Sequence, residues 1–339
     1  MELYASVRTI MKIAVLDDYL DSARRLADWE SLGAGAQVSF FREYLADDDA
    51  RAQALAPFDV VVAMRERTPF PAALIERLPR LRLLVTTGMR NNSIDMAACR
   101  TRGIDVCGAP GSPDSAGATA ELAWALILAL FKRIPREHAT MVAGGWQSAM
   151  PEPLAAKRLG VAGLGNLGQR VARVGQAMGM DVVAWSPNLT DARAAEAGVA
   201  RVDKHTLFAT SDVVSLHLVL SAATCEVVDA EAIAAMKPTA FLVNTSRAGL
   251  VDQQALMRAL RDGGIAGAGL DVYPEEPLPA DDPVRGLPNV VLTPHLGYVT
   301  PQNFGAFYCN AVEAIAAWAA GQPIRVLNKL GMAGDGRTR

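Results

Sequence analysis

The chain has 339 residues, of which 51% are hydrophobic and 20% charged. That length suits about two domains, and the apolar content excludes wholesale disorder. Lys and Arg number 33 against 36 Asp and Glu, a net charge of -3 with no long run of one sign. A dedicated nucleic-acid binder needs a basic face, which nothing here advertises. Cys99, Cys107, Cys225 and Cys309 are scattered, with neither zinc-site nor disulfide-framework spacing. They read as buried thiols in a reducing compartment.

From the N-terminus, residues 1–10 carry short apolar pieces broken by Glu2 and Arg8, not a signal-peptide core. They read as an extension ahead of the first strand, 12–16. Strands are then predicted at 37–41, 60–64 and 81–86, with amphipathic stretches between them at 21–30 and 71–78. The segment 108–117, GAPGSPDSAG, reads as a linker dense in Gly, Pro and Ser. An apolar helix follows from about Ala118 to Lys132 or Arg133, with Pro135 ending it. Its most apolar part, 122–131, is hydrophobic on every face and shorter than the roughly 20 residues of a membrane span, so a buried helix is expected. A second series of strands is predicted at 159–162, 181–185, 212–216, 240–244, 266–270 and 290–292, with helices at 167–178 and 254–261. A second linker is read in TPHLGYVTP, followed by a last helix, 302–320. Strand–helix alternation throughout is the signature of βαβ units on parallel sheets, here two of about four to six strands each. The chain reads as soluble and cytoplasmic.

Gly163, Gly165 and Gly168 form GxGxxG between an apolar strand and a helix. The first glycine permits the tight turn, the second lets a pyrophosphate approach the backbone, and the third lets helix and strand pack closely. The helix start offers free N–H groups and a positive dipole end. A dinucleotide is the expected ligand. About 20 residues on, where a carboxylate would bond the ribose of NAD, the sequence has Ser186-Pro187-Asn188. The nearest cation, Arg193, falls on the following helix. NAD is slightly favoured because no Arg adjoins Ser186, and NADP stays open.

Three later segments put reactive side chains just past strand ends, where α/β sheets bind ligands. They are VNTSRAGLVD with Arg247, GLDVYPEEP with Asp271 and Glu276, and LTPHLGYVT with His295. Arg offers a planar fork to a carboxylate or carbonyl. His exchanges protons near neutral pH, and a neighbouring carboxylate orients the ring and favours imidazolium. His138 and His205 read as solvated helix residues.

These motifs, in this order, resemble the D-isomer-specific 2-hydroxyacid dehydrogenases over about residues 12–326. The resemblance implies Arg247, Glu276 and His295 as catalytic residues. It implies a cofactor set of Gly163, Gly165, Asn166, Leu167, Gly168, Ser186, Asn188, His217, Thr245, Asp271, His295 and Gly297, with Asp271 near the nicotinamide carboxamide. Gly88, Met89 and Arg90 would hold the substrate carboxylate through backbone N–H groups, with Arg65, Arg247 and His295 also facing substrate. No metal is implied. The implied fold is α/β: two Rossmann-like domains with a cleft between them. One is a flavodoxin-like substrate domain, 11–111 plus 297–328, and the other a dinucleotide domain, 112–296. A homodimer through the helix at 118–133 is expected.

The sequence departs from the family pattern in Ala248 for a Gly, Arg90 for a small residue, and Val219 for a Pro. Glu276 in place of Gln argues against the formate-oxidising branch, and the chain is expected to lack the regulatory domain of longer phosphoglycerate-oxidising relatives. The expected activity is hydride transfer between NAD(P)H and C2 of a 2-oxo or (D)-2-hydroxy acid. The alternative is a dinucleotide-sensing, corepressor-like binding protein on the same fold.

Overall fold

The computed structural model describes residues 10–329, so the N-terminal extension expected over 1–10 lies, but for Ile10, outside the described residues. These divide into two compact units, one of residues 10–113 and 300–329 and the other Asp114–Val299.

The first unit runs β1 Met11–Val15, α1 Ala23–Leu26, β2 Ala36–Phe40, α2 Asp48–Leu55, β3 Val60–Ala63, α3 Ala72–Glu76, β4 Leu83–Thr87, α4 Met96–Thr101 and β5 Asp105–Ala109. The sheet is wholly parallel, in the order β2-β1-β3-β4-β5. This is the flavodoxin-like order. Every residue of β3 and β4 is buried, as their unbroken apolar runs foretell for strands covered on both faces.

Strand β5 lay hidden in the sequence because Gly108 and Ala109, its last residues, read as linker. Gly108 is there for space: a Cβ on it would stand 2.7 Å from Met89 Sδ and 3.0 Å from the Gly88 carbonyl. The true connection is 110–114, and the next helix, α5 Ser115–Lys132, starts three residues before the expected position.

Arg133, in the left-handed region at φ +54°, ends α5. Pro135 sits in the first turn of a further helix, α6 Ile134–Val142. There its missing N–H costs nothing, so it opens a helix rather than closing one. Nor is α5 buried all round. Ala123, Trp124, Leu126, Ile127, Leu130 and Phe131 are buried, while Leu122 and Leu128 are partly open. With 18 residues α5 is long and apolar enough to cross a membrane, a correction to the shorter stretch expected, but its buried face lies in the core of the second unit.

The second unit continues with β6 Arg158–Ala162, α7 Asn166–Ala177, β7 Asp181–Trp185, α8 Asp191–Glu196, β8 Ala200–Arg201, α9 Lys204–Thr210, β9 Val213–Leu216, α10 Ala230–Ala235, β10 Phe241–Asn244, α11 Gln253–Asp262, β11 Gly267–Leu270 and β12 Val290–Leu292. Its sheet is also parallel, in the order β12-β11-β10-β9-β6-β7-β8. Counted from its own first strand this is the dinucleotide-binding order 3-2-1-4-5-6, with one strand added beyond the sixth. Seven strands exceed the expected four to six. The two exposed residues of β8 carry no apolar run to announce them.

The last helix, α12 Pro301–Ala319, returns to the first unit. There Trp318 Nε1 donates to Asp105 at 3.0 Å and Asn310 Nδ2 to the Pro110 carbonyl at 2.8 Å. Of the cysteines, Cys99 and Cys107 are buried, and burial pushes both thiols up to about 11. Cys225 and Cys309 are exposed, against the expectation that all four would be buried.

Candidate active site

In the second unit the sheet order reverses between β6 and β9, and the turns that leave these strands hold Gly163 and His217. Gly163 has φ +102°, and a Cβ there would stand 2.6 Å from the His217 carbonyl carbon. A Cβ on Gly168 would collide with the Gly163 carbonyl, whereas one on Gly165 would meet nothing within 4 Å. Gly163 and Gly168 therefore serve the fold, and Gly165 leaves open space above the start of α7.

Side chains of Asp47, Asp95, Thr190, Asp203, Asp229, Asp252 and Thr300 cap the starts of α2, α4, α8, α9, α10, α11 and α12. Helix α7 starts at Gly165 with no side-chain cap, leaving the amides of Asn166 and Leu167 to another acceptor. Nearby, His217 Nε2 lies 2.9 Å from Ser215 Oγ, and burial pushes the ring down to about 4, so it is neutral. His217 Nδ1 and Thr245 Oγ1 are buried without a hydrogen-bond partner among the described residues. An uncapped helix start, open space at Gly165 and two orphaned polar atoms fit a dinucleotide: phosphates at α7, ribose or amide groups toward His217 and Thr245. Ser186 is half-buried and Asn188 exposed in the turn after β7, and Arg193 lies exposed on α8.

The loops after β10, β11 and β12 carry the reactive side chains. Asn244 fixes the first loop: its Nδ2 donates to the Arg247 carbonyl at 2.9 Å and its Oδ1 accepts from the Ser246 amide at 3.0 Å. Arg247 itself is half-buried, with Nη1 2.7 Å from the Ser246 carbonyl. In the second loop Glu276 is three-quarters covered while Glu275 is exposed, which separates two acids that look alike in sequence. Glu276 Oε2 lies 2.6 Å from His295 Nδ1, and Oε1 accepts from the Tyr273 amide at 2.9 Å. Burial pushes the Glu276 carboxyl up, but the His295 hydrogen bond and charge, the Tyr273 amide and the Arg247 charge together hold it below its usual range. It is therefore ionised at neutral pH. His295 sits at φ +53°, and its Nε2 makes no hydrogen bond among the described residues.

Asp271 is fully buried, and burial raises its pKa against the hydrogen bonds it receives. Its Oδ1 accepts from Thr293 Oγ1 at 2.6 Å and the Leu296 amide at 2.7 Å, and its Oδ2 from the Gly297 amide at 2.9 Å. The structure thus gives Asp271 a task the sequence did not suggest, clasping the loop that carries His295.

In the first unit Gly88, at φ +97°, lies under the Arg65 guanidinium. Arg65 is also in the left-handed region, at φ +53°, its amide bonded to Thr87 Oγ1 at 2.8 Å and its carbonyl to Asn91 Nδ2 at 2.6 Å. Of the three amides expected to hold a carboxylate, that of Gly88 is already given to the Ala109 carbonyl. Those of Met89 and Arg90 make no hydrogen bond among the described residues, nor does the exposed Arg90 side chain.

Residues 124–297 match the model of the D-isomer-specific 2-hydroxyacid dehydrogenase NAD-binding domain. The chain belongs to that family. It is 35% identical over 266 residues to a glyoxylate reductase of Thermococcus litoralis, covering 76% of this chain and 80% of the relative. It is 34% identical over 266 residues to a D-3-phosphoglycerate dehydrogenase of Synechocystis, covering 78% of this chain but only 48% of that longer relative. Among solved structures, a phosphoglycerate oxidoreductase of Vibrio cholerae superposes with a TM-score of 0.86 at 37% identity, over 92% of this chain and 99% of that one.

The class of chemistry is therefore oxidation and reduction of 2-hydroxy and 2-oxo acids with a nicotinamide dinucleotide. These relatives are dehydrogenases and reductases, and the corepressor-like alternative finds no support among them. Two residues of this 2-hydroxyacid dehydrogenase escaped the sequence reading. The Tyr273 hydroxyl lies 2.9 Å from both the Leu270 and Thr293 carbonyls, tying the β11 and β12 loops together, and Thr293 supports Asp271. Tyr273 stood inside the LDVY motif, but only the fold shows what its hydroxyl reaches.

Proposed function

We propose that this dehydrogenase interconverts a 2-oxo acid and a (D)-2-hydroxy acid, with His295 as the proton donor and acceptor at the substrate oxygen. The observation that carries the reading is the 2.6 Å contact of His295 Nδ1 with a partly buried, ionised Glu276, which leaves Nε2 as the nitrogen able to meet substrate. When bound, the nicotinamide supplies or removes the hydride at C2. Glu276 holds the ring by Nδ1, so that Nε2 can pass a proton to the alkoxide oxygen during reduction and take it back during oxidation. Arg247 forks onto the substrate carboxylate and polarises the carbonyl. We assign the amides of Met89 and Arg90, with the Arg65 guanidinium, to anionic groups of the substrate. The relatives' names point to small acids such as glyoxylate or phosphorylated three-carbon acids.

The cofactor we favour is NAD, since no cation adjoins Ser186. A cytoplasmic homodimer, joined through the helix around 118–133, completes the proposal. Steady-state oxidation of NADH and of NADPH against a panel of 2-oxo acids tests it. Turnover of at least one acid, lost in His295→Gln, is the expected result; inert behaviour with both cofactors across the panel rejects it.

A further inference from the structure

The imidazole of His295 is held at Nδ1 by Glu276, and together with Cβ and Cγ that contact sets the ring plane. It sets it softly. The terminal torsion of a histidine is broad rather than confined to sharp wells, and a hydrogen bond tolerates angular play. The ring can therefore rock about Cβ–Cγ, carrying Nδ1 and Nε2 together.

A second restraint comes three residues later. The Val299 amide bonds the Leu296 carbonyl at 2.8 Å, closing a turn that brings Tyr298 back toward His295. The two rings stand edge to face, with centroids 5.3 Å apart and planes 83° apart. Gly297 lets the turn pack closely: a Cβ there would stand 3.1 Å from Thr119 Cγ2 and 3.3 Å from Asp271 Oδ2. The Thr119 hydroxyl, on α5, donates to the Gly297 carbonyl at 2.6 Å, and Asp271 holds the Gly297 amide. Tyr298 is thus mounted on a turn fastened from two sides.

We propose that Tyr298 is a positioning residue that fixes the plane of the His295 imidazole and so aims Nε2. It acts through its ring and rests on the assignment of His295 as the proton donor. An edge-to-face aromatic contact is attractive in itself, and here it narrows the rocking that the Glu276 hydrogen bond still permits. Misaiming a proton donor lowers turnover more than binding, because the geometry matters most in the transition state.

The test compares Tyr298→Phe, which keeps the ring, with Tyr298→Leu, which removes it. Tyr298→Phe is expected to keep wild-type kcat. Tyr298→Leu is expected to lose kcat by roughly 10- to 100-fold with the KM for the oxo acid and the Kd for the dinucleotide little changed. An independent readout is the downfield proton resonance of His295 Nδ1–H at low pH, identified by its disappearance in His295→Gln. It should stay sharp in Tyr298→Phe and broaden in Tyr298→Leu as the ring gains freedom. The inference fails if Tyr298→Phe loses turnover, or if Tyr298→Leu keeps both kcat and the sharp resonance. It fails equally if Tyr298→Leu raises only the KM for the oxo acid, which would make Tyr298 a wall of the substrate site. If His295→Gln retains full activity, the assignment of the donor falls instead, and the resonance still reports whether Tyr298 holds the ring.

Discussion

Glu276 divides its two oxygens between one side chain and one backbone group: Oε2 meets His295 Nδ1 at 2.6 Å while Oε1 takes the Tyr273 amide at 2.9 Å. The amide anchors the carboxylate, and the anchored carboxylate orients the imidazole. Its charge matters as much as its place. Glu276→Gln keeps the shape but replaces a charged acceptor by a neutral one, which holds Nδ1 less strongly. We expect kcat to fall roughly 10- to 100-fold in both directions, with the Kd of the dinucleotide unchanged. Wild-type kcat in that variant refutes the pairing.

Arg247 invites a sharper substitution than alanine. Arg247→Lys preserves the charge and loses the two-pronged geometry. We expect kcat/KM to drop roughly 100-fold or more, the cost of a lost transition-state donor, with dinucleotide affinity unchanged by fluorescence titration. Near-normal turnover removes Arg247 from the reaction.

The glycine loop offers a contrast within a single motif. At Gly168 an added Cβ meets the Gly163 carbonyl, whereas at Gly165 it meets open space. Gly168→Ala should therefore destabilise the fold by about 3 kcal/mol, the upper end of overpacking costs, because the neighbour is backbone. Gly165→Ala should leave the Tm unchanged and weaken dinucleotide binding instead. Thermal unfolding and titration of both variants check the split; equal losses of Tm would mean that the space at Gly165 has no functional meaning.

Cofactor choice hinges on the turn after β7. Ser186→Asp introduces a carboxylate that repels a 2′-phosphate. The ratio of kcat/KM with NADH to that with NADPH should rise in this variant. An unchanged ratio places Ser186 away from the ribose.

Asp212 yields a prediction about stability. Its Oδ2 accepts from the Arg158 amide at 2.7 Å and its Oδ1 pairs with Lys237 at 3.0 Å. Burial pushes its carboxyl up, but these bonds outweigh it and hold the group below the ordinary range. The ionised form is thus favoured in the folded chain. Its contribution to stability is present above the usual Asp value and fades as pH falls below it. Asp212→Asn should cost about 1–3 kcal/mol at neutral pH, and the gap in denaturation midpoint between the two proteins should close below about pH 4.

Much of the fold could be read because the two sheets are parallel and covered, which turns central strands into plain apolar runs such as 60–63 and 213–216. Strands β5 and β8 escaped for opposite reasons. The first ends in a Gly–Ala pair that packing demands, and the second is two exposed residues on an edge. The Arg133 break is invisible in the sequence because a left-handed arginine has no sequence mark, and without it Pro135 reads as a helix end rather than a helix start. At the candidate site, residues that act through side-chain chemistry stood out by type and order. Residues that act by where they reach did not: the Tyr273 hydroxyl, the Thr293 support and the Tyr298 ring become visible only once the loops after β11 and β12 are folded beside each other.

Gly88 and Arg65 contend for one volume, since a Cβ on the first would lie where the guanidinium of the second now rests. Their mutational histories are thereby chained. A library that randomises position 88 alone will mostly sample displaced Arg65, and will mistake that displacement for an effect of the new side chain. Changing residue 65 to a small residue first opens the space, leaving only the positive φ at 88 to restrict the choice. On the proposed assignment of Arg65 to the substrate, redirection toward bulkier acids has an ordered route through these two positions, with Arg65 altered before Gly88.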